Sequence, residues 1–171
     1  MKRVSTFAMA LALLLPIAVL SASPAGAAGG TTCKPASGKI TLTPGLSATP
    51  TVQTISINLP VAGCSGGGVT SGTFKGSLKT TAISIASFAK TSTPLKLAAT
   101  ITWNTKATST LTATSTTKLG KVITSTVSGK ISKGLFANLT FHSVQTVTLG
   151  PLKNNKITTL NIKGSGAVTI K

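Results

Sequence analysis

The sequence has no aspartate and no glutamate in 171 residues, against 17 lysines and arginines and a single histidine. That absence excludes whole chemistries. Retaining and inverting glycosidases work with a pair of carboxylates. Calcium and magnesium are held mainly by carboxylate oxygens. A Ser-His-Asp triad lacks its acid. Zinc needs several His, Cys or acidic ligands, and the chain offers His142, Cys33 and Cys64. Tyrosine is missing too, and aromatics make up 4% of the residues, so stacking platforms for single-stranded nucleic acid are scarce. The same scarcity argues against a carbohydrate-binding module and against the aromatic girdles of an outer-membrane barrel. No Walker or dinucleotide-type glycine loop is present. The reading is therefore of a protein that is not an enzyme and has no metal site or cofactor.

One catalytic pattern survives, Ser-x-x-Lys, as Ser87-Phe88-Ala89-Lys90 and Ser115-Thr116-Thr117-Lys118. The Ser and Lys content alone predicts about two such matches, and the companion Ser-Asp-Asn and Lys-Thr-Gly motifs are missing. Both fall in what reads as strand or turn rather than at a helix start. His142 sits in Asn138-Leu139-Thr140-Phe141-His142-Ser143-Val144, on the opposite parity from Leu139 and Phe141. It reads as a residue of a polar strand face. A lone imidazole with no carboxylate to orient it is a poor general base.

The N-terminus carries an export pattern. Met1-Lys2-Arg3 is a positive start, Phe7 to Leu20 is an apolar run broken by Pro16, and Ala25-Gly26-Ala27 fits the small-x-small cleavage rule. The run is short for a membrane span of ~20 residues. The expected division is a leader over 1–27 and one all-β domain over 28–171, cleaved near Ala28. Losing Lys2 and Arg3 would leave 17 − 2 = 15 lysines and no arginine. Two cysteines in an exported chain predict a Cys33–Cys64 disulfide. There is no Cys-x-x-Cys redox motif.

Period-two alternation recurs after the leader and no sustained helical period does. From Cys33 to Cys64 the chain reads as a strand, a proline-bounded loop with a Pro44-Gly45 turn, and a second strand from Val52 to Val61, in which Pro60 marks an edge position or a strand end. Val69 to Leu78 and Thr80 to Phe88 follow as two strands. The clearest is Leu95 to Trp103, with apolar residues on every odd position. Thr108 to Thr114 and Val122 to Val127 come next. A long strand is expected from Leu135 to Leu149. The last runs from Ile157 to Lys171, with Gly164 and Gly166 as a bend or bulge. Val69 to Phe74 and Ile131 to Phe136 share the pattern aliphatic-x-x-Gly-x-Phe and read as two similar strands of one sheet. About eight to ten strands and 30 threonines after Ala27 predict an all-β antiparallel barrel or sandwich. The glycine-bent strands favour a barrel.

The stretches Gly38-Lys39-Ile40-Thr41-Leu42-Thr43-Pro44-Gly45-Leu46, Leu59-Pro60-Val61-Ala62-Gly63-Cys64 and Ile101-Thr102-Trp103-Asn104 resemble a group of small exported actinobacterial proteins of unassigned function. The resemblance implies a secreted or envelope-associated β-protein and no activity. Members often carry further cysteines near mid-chain, and none occurs here between Cys64 and Lys171.

The lysine excess suggests attraction to anionic cell-wall polymers or a membrane surface through salt-sensitive forces, with no specific nucleic-acid recognition. The alternatives are a barrel carrying an apolar ligand, or a structural protein whose charge serves solubility.

Overall fold

Threonine and aliphatic residues on alternate positions suit a pleated surface with one face buried. The computed structural model describes residues 29–88, 94–119 and 122–171, and nearly all of them lie in or between strands. In chain order these are β1 (Thr31–Cys33), β2 (Ser37–Leu46), β3 (Thr51–Ala62), β4 (Ser71–Ile83), a helical turn α1 (Ile85–Phe88), β5 (Leu95–Trp103), β6 (Thr108–Leu119), β7 (Ile123–Gly134), β8 (Thr140–Leu149), β9 (Ile157–Gly164) and β10 (Val168–Ile170). The leader expected over 1–27 lies outside the described residues, as does Ala28.

Strands β2 to β9 pair antiparallel, each with the next, and β9 returns to β2. The result is a closed eight-stranded barrel, to which β1 and β10 are added along β8. The closing step is long-range: Ser37 pairs with Lys163 and Ile40 with Leu160. The bend expected at Gly164 and Gly166 is a bulge. The amides of Ser165 and Gly166 both donate to the Val144 carbonyl, at 3.0 and 3.3 Å. Beyond the bulge, β10 resumes pairing with β8 at Thr169 opposite His142 and Ile170 opposite Phe141.

The interior is filled from alternate positions of every strand. Leu97, Ala99, Ile101 and Trp103 of β5 are buried, while Lys96, Ala98, Thr100 and Thr102 are exposed. One end is closed by Trp103, whose indole N–H donates to Ser109 Oγ at 2.8 Å and whose ring meets Phe136 edge-on at 5.3 Å. The outer wall is polar, as in the exposed row Thr108, Thr110, Thr112 and Thr114 of β6. Apolar-in and polar-out is the reverse of a lipid-facing barrel.

Four expectations need correction. Leu135 to Leu149 is not one strand: β7 ends at Gly134, residues 135–138 turn, and β8 starts at Thr140. Phe136 and Asn138 adopt positive φ of 65° and 71° in that turn, and Phe136 tucks its ring under Trp103. The hydrophobic parity carries across a tight turn, which hid it. The likeness between Val69–Phe74 and Ile131–Phe136 follows the same fate, since Phe74 lies in β4 and Phe136 in a hairpin turn. Thr80 to Phe88 is not a separate strand either. β4 continues to Ile83, then Ser84 and Ser87 cap each other: the Ser84 amide donates to Ser87 Oγ at 2.8 Å and the Ser87 amide to Ser84 Oγ at 3.2 Å, a reciprocal capping box that starts α1.

Finally, Pro44-Gly45 lies inside β2 rather than in the loop to β3, and it interrupts the β2–β9 ladder between Thr41 and Leu46. The break is filled by Gln53, which is fully buried. Its Oε1 accepts from the Gly45 amide at 2.9 Å, and its Nε2 donates to the Gly45 carbonyl at 3.2 Å and to Thr51 Oγ1 at 2.6 Å. Gln53→Leu should strand both backbone groups of Gly45 and cost about 1–3 kcal/mol, read as a lower denaturant midpoint. An unchanged midpoint would show that the latch is dispensable.

Candidate anion-binding surface

Strand parity decides where the charges go. On a strand whose odd or even row is aliphatic, lysines fall on the other row and point outward. All the lysines among the described residues are exposed, thirteen of them once Lys2, Lys90 and Lys121 are set aside. In the wall they are spaced by polar partners. Lys75 sits opposite Asn58 and Thr100, Lys130 opposite Thr112 and Thr140, and Lys163 opposite Ser37 and Thr146. Lys39 faces Asn161, Lys118 faces Thr124 and Lys133 faces Thr110. One pair of lysines does meet, Lys153 with Lys156 across the tip of the β8–β9 hairpin, where water surrounds both. With no acidic side chain in the sequence, no side chain offsets this charge. The wall is a dispersed cationic surface rather than a patch.

The lumen holds polar groups that the alternation implies but that were not singled out from the sequence. Ser115, Thr117, Ser125, Ser143 and Gln145 share the inward parity of Val127, Phe141 and Val147 and line the cavities there. Ser115 and Ser125 hydroxyls meet at 3.0 Å across β6 and β7. The lumen cavities measure ≈ 40 and ≈ 70 Å³, against about 300–1,000 Å³ for ligand pockets in general. Buried side chains fill most of the barrel interior.

The Ser115 to Lys118 pattern does not bring its serine and lysine to one face. Ser115 turns into the lumen while Lys118 is exposed on the outer wall, because positions three apart on a strand face opposite sides. Ser87 lies in α1 rather than in a strand or turn, and is bonded to Ser84. Ala89 and Lys90 lie outside the described residues. His142 is exposed on β8, on the polar face expected for it, with Nδ1 3.0 Å from Ser128 Oγ. No three potential metal ligands lie together among the described residues.

Cys33 and Cys64 form a disulfide. It ties β1 to the β3–β4 connection beside paired backbone bonds, Thr32 amide to Ser65 carbonyl at 3.0 Å and Ser65 amide to Thr32 carbonyl at 2.9 Å. A disulfide of this kind fits an oxidising compartment. No family model, curated protein or solved structure matches the chain. The feature that distinguishes its residues is the wall of lysines without acidic side-chain partners.

Proposed function

We propose that this is an exported, non-catalytic protein of the cell envelope or its exterior, which binds anionic envelope polymers through the lysines of its barrel wall. The observation that carries the reading is that every described lysine is exposed and none has an acidic side-chain partner. The leader-like N-terminus and the disulfide support export. Near neutral pH such a surface biases every approach towards anions. Lysine is a flexible point charge without the arginine fork for bidentate recognition, so the attraction is spread over many sites. The packed lumen favours this reading over carriage of an apolar ligand inside the barrel.

A second reading, docking onto an anionic membrane surface, is favoured by one observation. The exposed large apolar residues Val52, Val122 and Leu152 lie at the start of β3, the β6–β7 turn and the β8–β9 turn. In an up-and-down barrel these all fall at the end that carries α1.

Co-sedimentation with purified teichoic acid, with anionic vesicles and with neutral vesicles, across a salt series, tests both. The expected result is polymer binding at low salt that weakens steeply as the Debye length shrinks from about 10 Å at 0.1 M to about 3 Å at 1 M, with polymer length unchanged after incubation. Retention on anionic vesicles alone would favour the membrane. Absence of binding at the lowest salt would remove the polyanion reading.

A further inference from the structure

The barrel wall is split along the seam between β4 and β5. The β4–β5 ladder runs from Gly72 opposite Trp103 to Ser77 opposite Ala98 and stops. Both strands continue past that point. β4 stays paired with β3 as far as Ile83 opposite Thr51, and β5 is paired with β6 from Leu95 opposite Ser115. Towards the α1 end the two strands are neighbours without being bonded.

The next outward-facing step of the same register would set Lys79 directly opposite Lys96. Like charges at directly opposite positions destabilise a strand pair, and this chain has no acid to place between them. Elsewhere in the wall each lysine faces threonine, serine or asparagine. The ladder ends one pair short of opposing two ammonium groups.

A cavity of ≈ 300 Å³ occupies the split, with Lys79 and Lys96 on its lining and Ile83, Phe88 and Leu95 among its apolar walls. Ile83 is buried, Phe88 and Leu95 are half-buried, and both lysines are exposed. Phe88, Leu95 and Thr117 also line the ≈ 70 Å³ cavity of the lumen, so the cleft leads inward from a cationic rim to an apolar floor. Its volume reaches the lower bound of ligand pockets, about 300 Å³.

We propose that this cleft binds a single-chain amphiphile with an anionic head, a carboxylate or a phosphate. The head sits between Lys79 and Lys96, where it offsets the repulsion that holds β4 and β5 apart. The tail lies along Ile83, Phe88 and Leu95 towards the lumen. Charge complementarity selects the head, and the apolar floor selects the tail. The site is independent of polymer binding on the outer wall and would exist even if that binding failed.

Calorimetric titration of the mature protein with dodecanoate and dodecyl phosphate, below their micelle concentrations, tests the proposal. Inorganic phosphate and dodecyltrimethylammonium are the comparison probes. Both anionic amphiphiles should bind saturably, one per chain, and shift backbone amide resonances at 79–83 and 95–97. Lys79→Gln with Lys96→Gln should weaken them at least about tenfold, as expected for losing charge-assisted hydrogen bonds. Lys39→Gln with Lys163→Gln removes the same charge from β2 and β9 and should change affinity less than about twofold. Equal losses in the two double variants would overturn the site in favour of net charge alone. Inorganic phosphate binding as tightly as dodecyl phosphate would overturn the role of the apolar floor. Absence of saturable binding would overturn the proposal outright.

Discussion

Leu97→Asp should leave the protein unfolded or nearly so, while Thr100→Asp should fold and melt close to wild type. Leu97 is 3% exposed in the middle of β5, paired with Ala113 of β6 and one residue past the end of the β4–β5 ladder. Truncating a buried leucine costs about 2–5 kcal/mol through lost transfer energy and the cavity left behind. A carboxyl group in its place adds the cost of desolvation, whether it stays charged or takes up a proton, and no cation among the described residues lies inside to pair with it. A whole domain is stable by only about 5–15 kcal/mol, so this one change consumes much of the margin. Thr100 is exposed and lies opposite Lys75. An aspartate there gains a cross-strand opposite charge worth about 0.2–1 kcal/mol and gives up a β-branched residue, which offsets it. Denaturant unfolding of both variants decides the matter, and equal midpoints would overturn the assigned inward and outward faces.

Removing the disulfide should have the next largest effect. Cys33→Ala with Cys64→Ala opens a loop set by a sequence separation of 31. The gain in unfolded-chain entropy corresponds to about 3–4 kcal/mol of lost stability on the loop-entropy account. The native contacts change little, because β1 keeps its backbone bonds to the β3–β4 connection and its pairing with β10. Reduction of the wild type should therefore lower its unfolding midpoint to that of the double variant, and reduction of the variant should do nothing further. If alkylation of the unreduced protein labels two thiols, or if the variant is as stable as wild type, the bond contributes nothing to the fold.

The strands were legible where one side is buried and the other wet. β5 runs from Leu95 to Trp103 with the expected faces because the alternation is strict and Asn104 ends it. The Gly164–Gly166 bulge was legible from the glycines alone. Legibility failed where parity survives a turn. Leu135, Ala137, Leu139 and Phe141 keep step through a hairpin whose Gly134, Phe136 and Asn138 all take positive φ, and only the glycine and asparagine signalled it. It failed again at Pro44-Gly45, where a buried glutamine eight residues later in the chain, Gln53, completes a strand that local sequence reads as broken. The barrel, favoured from bent strands, is closed by pairing Ser37 with Lys163, a contact that no local pattern encodes. The cationic wall could be read from composition and parity. The cleft could not, since the juxtaposition of Lys79 and Lys96 depends on the β4–β5 register, which is a tertiary quantity.

The measurement that bears most directly on the proposed function is the affinity for purified anionic wall polymer as a function of salt, in wild type and in a variant with Lys39, Lys75, Lys130 and Lys163 changed to Gln. These four lysines lie on separate strands or separate wall positions and are exposed. For a dispersed cationic surface the logarithm of affinity falls with the logarithm of salt because neutralising a polyanion releases its counterions. The quadruple variant should bind more weakly at low salt and show a shallower slope, with each single Lys→Gln change altering affinity by no more than about twofold. A salt-independent affinity, a complete loss on changing one lysine, or no binding at the lowest salt would each contradict a polyanion-binding wall.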